Sequence, residues 1–454
     1  MPPLVKGQQL ELLIEGLSYG GRGVARADGY VVFVPYTAPG DRVRVRVTRA
    51  RRTFGEAELV EVLQPSPDRV PPPCPYFGPC GGCTWQHLSY SAQLRVKQQI
   101  VIDSLQRLGG LRDLPVRPIV GAPDPYHYRN KMEFAFHPDS VLGLHARGHF
   151  DRVVGIDACL LPSPLCSEIL REVKAFVRAR AIPCYDNRTR RGLLRHLVYR
   201  EGVRTGEVMV GIVTVPGSFP DGPDLAASLV ERHPQIRSIA WAQSGSLSDA
   251  VRIDRLEVLH GRDHIFEELA GRRFAIRLET FFQTNTQQAE DLAVRTLQMA
   301  ELRGGERVVD LYCGVGTFAL LLAEQAGHVW GIEVVPAAVE AARENAARAG
   351  ATNVEFASGD ARRLLPDLVS RIGSPDVLVL DPPRSGAGGK VMRKIGRARP
   401  QRVIYVSCNP TTLAPDLAEL LPFGYEIREV QPVDLFPQTY HVETLVRLDR
   451  VGRS

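Results

Sequence analysis

The residues best suited to chemistry stand where short apolar runs end. RVVDLYCGVGTF, VWGIEVV, VEFASGD, DVLVLDPPR and RVIYVSCNP each begin as a strand and finish in Gly, Asp, Pro or Cys. Cys408, in Ser407-Cys408-Asn409-Pro410, closes the fifth run. A thiol at a strand terminus is a candidate nucleophile, although a lone cysteine more commonly packs. Asp381-Pro382-Pro383-Arg384 closes the fourth run and sets a carboxylate on a rigid turn. Gly314 and Gly316 close the first, where a tight turn lets backbone approach a ligand. No third glycine is in register, so the dinucleotide fingerprint is not met. Glu333 ends the second run, where an acid can hold ribose hydroxyls. Asp360 follows the third and suits an adenine amino group. Together these residues fit an adenosine ligand without a pyrophosphate, and S-adenosylmethionine fits best. The alternative is a nucleotide fold with no such cofactor.

Cysteine spacing marks a second centre. Cys74, Cys80 and Cys83 crowd into CPYFGPCGGC, while Cys159, Cys166, Cys184, Cys313 and Cys408 are scattered. A disulfide framework is a poor reading for an intracellular chain of this length. The spacing lacks the histidines and paired C-x2-C of typical zinc sites. It also differs from the C-x3-C-x2-C of radical chemistry. Four thiolates suit an iron–sulfur cluster, with zinc as the alternative. Cys166, Cys184 and Cys313 are expected to pack.

The elements that must position these residues fall into three regions, as 454 residues suggest at roughly 150 per domain. Residues 1–65 contain short strand-like runs between glycine turns and read as a small β-barrel. In DRVRVRVTRA, valines alternate with a ladder of Arg42, Arg44 and Arg46, a basic face suited to RNA. PSPDRVPPP reads as a linker. A helix is expected over 88–108, with Leu94, Ile100, Val101, Leu105 and Leu108 on one face and Gly109 and Gly110 ending it. Residues 74–275 read as a mixed α+β region carrying the Arg-rich stretch DNRTRRGLLRHLVYREGVR. Residues 276–454 alternate strand and helix, the pattern of a doubly wound parallel sheet.

Composition sets the outer bounds. Apolar residues are 44% and charged residues 24%, ordinary for a globular chain. No run approaches a membrane span and the N-terminus has no apolar signal core. A cytoplasmic protein without a membrane partner is expected. The net charge is +5, and only six of the 56 basic residues are lysines. Arginine suits phosphate and base contacts, while a GC-rich coding bias is the plainer account of the excess.

Taken in order, Phe281-Phe282-Gln283-Thr284-Asn285, DLYCGVGTF, DPPR, SCNP and His441-Val442-Glu443 resemble the RNA uracil-C5 methyltransferases. SYGGRGVAR resembles the TRAM barrel that precedes many members, and YRNKMEF and DACLL also match. The resemblance spans essentially the whole chain. It implies an α/β fold: a Rossmann-like class I S-adenosylmethionine-dependent domain, an OB-like TRAM barrel and a mixed central domain. It places the nucleophile on Cys408 and the general base on Glu443, with Asp381 orienting them. The cofactor contacts fall on Gln283, Tyr312, Thr317, Glu333, Asp360 and Asp381. Family members often carry Asn where Thr317 stands. The four cysteine ligands fall on Cys74, Cys80, Cys83 and Cys159, for a cluster of the 4Fe-4S kind, structural or redox-responsive. Phe281, Arg129 and Lys131 are the expected RNA contacts, Phe281 as a stacking platform or as core. The helix at 88–110 is expected to pack on the catalytic domain, as in resembling enzymes.

The implied activity is 5-methyluridine formation, with 23S rRNA the favoured substrate and the tRNA T-loop the alternative. A monomer with no obligate protein partner is expected. The competing class is a non-catalytic RNA-binding or RNA-folding protein with an iron–sulfur sensor. A DNA amino-methylase is disfavoured because Arg384, not an aromatic residue, follows the two prolines.

Overall fold

The computed structural model describes residues 4–139, 141–149, 151–248 and 251–451. Strands β1 (Gln9–Leu17), β2 (Gly23–Ala27), β3 (Tyr30–Val34), β4 (Arg42–Ala50) and β5 (Phe54–Gln64) close into a barrel in the order β1-β2-β3-β5-β4. Val43, Val45 and Val47 point inward against Ile14, Val32 and Val34. The alternating arginines therefore face out. They do not form the purely basic face expected from sequence. Arg44 lies between Glu11 and Glu61 and pairs with both, at 3.1 and 2.6 Å. Arg46 pairs with Glu58 at 2.5 Å. Only Arg42 faces uncharged neighbours, Leu13 and Gln64.

The proline-rich stretch is also more than a loose linker. Fully buried Asp41 accepts from Ala38 N at 2.7 Å, from Ser66 N at 2.8 Å and from the Arg69 guanidinium. Helix α1 (Tyr90–Gly109) follows. Ser89 caps it by accepting from Ala92 N, and left-handed Gly110 ends it. Its face buries Val101 and Leu105 in one core with Leu413, Ala414 and Leu417. Leu108 is 55% exposed and does not share that face. A Cβ on Gly109 would stand 2.9 Å from the carbonyl oxygen of Ala414, so only glycine permits this approach. Lys97 and Asp434, both fully buried, pair at 2.5 Å, and Tyr90 donates to the same carboxylate. Removing one partner of such a pair costs about 3–5 kcal/mol.

The central sheet contains β6 (Lys131–His137), β7 (Val141–His145), β8 (Val153–Gly155), β9 (Leu194–Gly202), β10 (Glu207–Thr214), β11 (Ile236–Gln243) and β12 (Arg255–Gly261), ordered β12-β11-β10-β9-β6-β7-β8. Helices α2 (Pro164–Ala179) and α3 (Gly222–Arg232) bury their apolar stripes in its core. The hairpin β13 (His264–Leu269) and β14 (Arg272–Arg277) packs Ile265, Phe274 and Ile276 into the core beneath the C-terminal sheet.

That last sheet is doubly wound. After α4 (Thr286–Ala300) come β15 (Arg307–Leu311), α5 (Thr317–Ala323), β16 (His328–Glu333), α6 (Pro336–Ala349), β17 (Val354–Ser358), α7 (Ala361–Ile372), β18 (Val377–Leu380), α8 (Gly389–Ala398), β19 (Arg402–Ser407), α9 (Pro410–Ala418), β20 (Tyr425–Val433) and β21 (Glu443–Arg450). The order is β17-β16-β15-β18-β19-β21-β20, with β21 antiparallel to β19. The first five strands are parallel, and their order reverses between β15 and β18. Ligands bind at such a switch point, beyond the strand carboxyl ends. β18 is buried along its whole length, as a strand covered on both faces must be.

Candidate active site

Three adjacent strands deliver the chemical groups. Asp381 follows β18, Cys408 follows β19, and Glu443 opens β21. The β19–β21 register pairs Ser407 with Thr444, which brings the Cys408 turn alongside Glu443. The Cys408 turn is fixed locally. Asn409 accepts from Thr411 N at 3.0 Å to start α9, and its amide donates to Arg384 O at 2.9 Å. One asparagine thus ties SCNP to DPPR. Asp416 holds the rest of the DPPR loop by accepting from Ala387 N at 2.8 Å and Gly388 N at 3.1 Å.

Desolvation dominates the electrostatics. Burial pushes the Cys408 thiol up to about 12, helped by the Glu443 and Asp381 charges and opposed by Arg384. Burial pushes Asp381 up to about 7. Buried Glu443 lies well above the usual carboxylate range, from desolvation first and Asp381 second, again opposed by Arg384. A cluster of perturbed groups at a strand-end crevice marks a candidate functional site.

The residues suited to a cofactor lie across the switch point. Tyr312, Val334, Asp360, Arg362 and Lys390 line a cavity of 390 Å³. Glu333 reaches back to Gly314 N at 3.1 Å and to Val335 N at 2.9 Å. Gly314 has a φ of +54°, and a Cβ there would meet nothing within 4 Å, so the turn is open to a ligand. Asp360 caps α7 and is bidentate to Arg362, which holds it down at about 2. Gln283 Nε2 lies 3.5 Å from Asp381 Oδ2, and Thr317 is the first residue of α5. The acids, the open glycine turn and the cavity suit an adenosine-type cofactor.

The tRNA (uracil-5-)-methyltransferase family model matches residues 250–451, and the TRAM domain model matches residues 3–60. An uncharacterized RNA methyltransferase of Halalkalibacterium halodurans is 39% identical, covering 98% of each chain. Another, of Caldanaerobacter subterraneus, is 38% identical over 98% of this chain and 100% of its own. The Pyrococcus abyssi tRNA (uracil-54, C5)-methyltransferase, solved with S-adenosyl-L-homocysteine, superposes with a TM-score of 0.76 at 31% identity. It covers 97% of this chain and 100% of its own. The chain belongs to the RNA uracil-C5 methyltransferase family. It is an RNA methyltransferase that uses S-adenosylmethionine.

This methyltransferase has a second cavity, of 420 Å³. Cys74, Cys80, Cys83 and Cys159 line one part of it, and Arg129, Lys131, Phe281, Gln283 and Arg384 another. Phe281 is 64% exposed, so it is not core. Its loop is gripped by the central domain. Buried Arg200 donates to Arg277 O at 2.5 Å and to Thr280 O, and Asn130 donates to Gln283 O at 2.9 Å. Among the described residues, none of these four cysteines forms a disulfide. Burial raises Cys159 to about 11 and Cys83 to about 12, and the thiols raise one another. Among the described residues, no group of three or more His, Cys, Asp or Glu side chains is placed to hold a metal ion. The expected metal site is therefore seen only as four thiols around one cavity. Among the described residues, no helix is long and apolar enough to cross a membrane.

Three residues here carried no role in the sequence reading. Arg384 is the cation that opposes the proton affinity of both Cys408 and Glu443. Its position directly after the two prolines was the available signal. Asp310 is fully buried behind the glycine turn, and burial and Asp381 hold it well above the carboxylate range. Tyr19, from the barrel, reaches the carbonyl of Cys408. Nothing in its glycine-rich turn announces so distant a contact.

Proposed function

We propose that this methyltransferase makes 5-methyluridine in structured RNA, acting as a monomer, with Cys408 as nucleophile, Glu443 as base and Asp381 as the carboxyl that orients them. The observation that carries the reading is the convergence of these groups from three adjacent strand ends in one desolvated crevice. Uracil C5 is a poor nucleophile. Addition of the Cys408 sulfur to C6 forms an S–C bond and moves an electron pair toward C5, giving an enolate. Arg384 favours the thiolate this step needs. Gln283, Tyr312, Thr317, Glu333, Asp360 and Asp381 would hold S-adenosylmethionine, which would supply the electrophilic methyl group to C5 and leave as S-adenosylhomocysteine. Glu443 then removes the C5 proton, the C5–C6 double bond re-forms, and the Cys408 sulfur leaves. The proton affinity of Glu443, raised by burial, suits a group that must take a proton from carbon.

The target base must leave its stack to reach Cys408. Exposed Phe281 offers a ring for stacking, with Arg129 and Lys131 in the same cavity for phosphates. Cys74, Cys80, Cys83 and Cys159 suit a 4Fe-4S cluster. Such a cluster spans thiols set around a cavity, whereas one zinc ion needs them within a single coordination sphere. Its role here is structural, tying the segment after the barrel to the central domain.

Large-subunit rRNA is the first substrate to test, on the resemblance of barrel plus cysteine set to the 23S rRNA enzymes. A tRNA T-loop is the second reading, favoured by the likeness to the Pyrococcus abyssi tRNA enzyme across 97% of the chain. Incubating protein with labelled S-adenosylmethionine and unmodified rRNA or tRNA, then resolving nucleosides, separates them. Label in 5-methyluridine of rRNA alone supports the first reading. Label in tRNA alone keeps the mechanism and replaces the substrate. No label in either sinks the proposal.

A further inference from the structure

The barrel reaches into the catalytic centre. Between β1 and β2, residues Ser18 to Arg22 form a tight turn in which Gly20 and Gly21 have φ of +102° and +83°. Ser18 N donates to Arg22 O and Gly21 N to Ser18 O, each at 2.9 Å. Trp85, fully buried, donates its indole nitrogen to Gly21 O at 3.2 Å. A Cβ on Gly21 would stand 3.2 Å from that same nitrogen, so turn and indole are in close contact. The turn is clamped to the segment preceding α1.

This clamp aims Tyr19 at two loops of the other domain. Its ring meets Tyr440 edge to face, with centroids 5.2 Å apart and planes at 86°. Its hydroxyl lies 3.4 Å from the carbonyl oxygen of Cys408, a long hydrogen bond. Tyr440 leads directly into His441-Val442-Glu443. One barrel side chain therefore touches both the turn after β19 and the segment that opens β21. Tyr19 and Tyr440 also join the partly buried rim of the small core formed by Ala38, Trp85, Leu88 and Ile100. That core links the barrel, α1 and the C-terminal segment.

We propose that Tyr19 is a positioning residue for methyl transfer: a wedge from the barrel that fixes the spacing of Cys408 and Glu443. The proposal rests on the reading of those two residues as nucleophile and base. Cys408 sits in a turn beyond its strand, and Glu443 sits at the first residue of its own. Both are strand ends, next to the two loops that Tyr19 touches. A displacement of about 1 Å at such a place costs about 10²-fold in rate. An edge-to-face aromatic contact adds attraction beyond the area it buries, which biases the turn. The ring matters more than the hydroxyl, because the hydrogen bond is long. Barrel docking and catalytic competence become one event, and the barrel does more than hold RNA.

The test uses the full-length protein as wild type, Tyr19→Leu, Tyr19→Phe, Tyr440→Leu and the double Leu variant, with Cys408→Ala as reference. Single-turnover methylation is measured at saturating unmodified rRNA or tRNA transcript, alongside the RNA dissociation constant. Tyr19→Leu is expected to slow the step by about ten- to a hundredfold, with RNA affinity within about threefold. Tyr19→Phe keeps the ring and stays within about threefold of wild type. Tyr440→Leu removes the other half of the contact and gives a similar loss, with the double variant no worse than either. A Tyr19→Leu protein that reaches the wild-type rate at saturating RNA overturns the proposal, as does a loss confined to affinity. Should Tyr19→Leu not fold, a wild-type rate in Tyr440→Leu overturns it equally. Turnover by Cys408→Ala overturns the nucleophile reading itself, which is a distinct failure.

Discussion

Cys408 and Cys83 share one physical fact and differ in their company. Burial pushes Cys408 up to about 12 and Cys83 up to about 12 as well. Around Cys408 stand Glu443, Asp381 and Arg384. Around Cys83 stand Cys159, Cys80 and Cys74. A thiol beside carboxyls and a guanidinium has groups that can take and return protons. A thiol among thiols has partners only for a soft cation. The residue type is therefore uninformative, and the neighbours decide between addition chemistry and ligation.

The largest expected effects test that contrast directly. Cys408→Ala should lower single-turnover methylation by at least about 10³-fold, since no other group in the crevice can add to C6. Its thermal midpoint should barely move, because Cys408 is only half-buried. Cys74→Ala should do the reverse, lowering the midpoint while folded protein keeps its rate within about tenfold. A folded Cys74→Ala protein without activity would erase the distinction between the two centres.

Glu443→Gln sharpens the same comparison by stopping the reaction halfway. A carboxamide cannot accept the C5 proton, so the sulfur of Cys408 stays bonded to the methylated base. Product should fall by about 10²–10⁴-fold. RNA should migrate with the protein on a denaturing gel. Free product at the wild-type rate would remove Glu443 from its role.

Much of this was legible in the residues, for reasons that differ by region. The doubly wound sheet writes itself into sequence because each strand is a buried apolar run ended by a polar residue, as in Val377–Leu380 before Asp381. The site inherits that legibility, since its groups occupy strand ends. The barrel was legible in its valines and misleading in its arginines. Strand periodicity places Arg44 outside, but only register shows Glu11 and Glu61 beside it. Leu108 fits the helical spacing and still faces water, because helical period alone does not say where the neighbouring domain stops. Tyr19 and Cys408 are 389 residues apart, and nothing local encodes their contact.

The carboxyls of the crevice predict a pH dependence of stability. Asp381 is raised from 3.8 to about 7 by burial. A raised carboxyl stabilises the fold fully below its unfolded value, and that contribution is lost as pH rises through about 7. Asp381→Asn has no proton to lose. Relative to wild type, the cofactor-free variant should gain stability between pH 4 and pH 8, at up to ~1.4 kcal/mol per pH unit. Urea unfolding at several pH values measures this. Glu443 and Asp310 carry shifts of the same sign, so a reduced slope should remain. An unchanged slope would mean that Asp381 titrates in water.

The smallest expected effect separates the barrel's two kinds of arginine. Arg44 already has Glu11 and Glu61 at 3.1 and 2.6 Å, whereas Arg42 has no ion pair among the described residues. Each phosphate neutralised by a protein cation contributes about 0.7–0.9 to the salt slope of RNA binding. An arginine shared by two carboxylates brings little net charge to a phosphate, and its exposed pairs are each worth only about 0–1 kcal/mol to the fold. Arg44→Ala should therefore change neither the salt slope nor the thermal midpoint by much. Arg42→Ala should lower the slope by about one unit if the outer face of β4 meets RNA. Equal slopes for wild type and Arg42→Ala would move RNA contact off this face. The barrel's contribution would then lie in the Ser18–Arg22 turn, where its backbone is clamped by Trp85 and its side chain meets the catalytic loops.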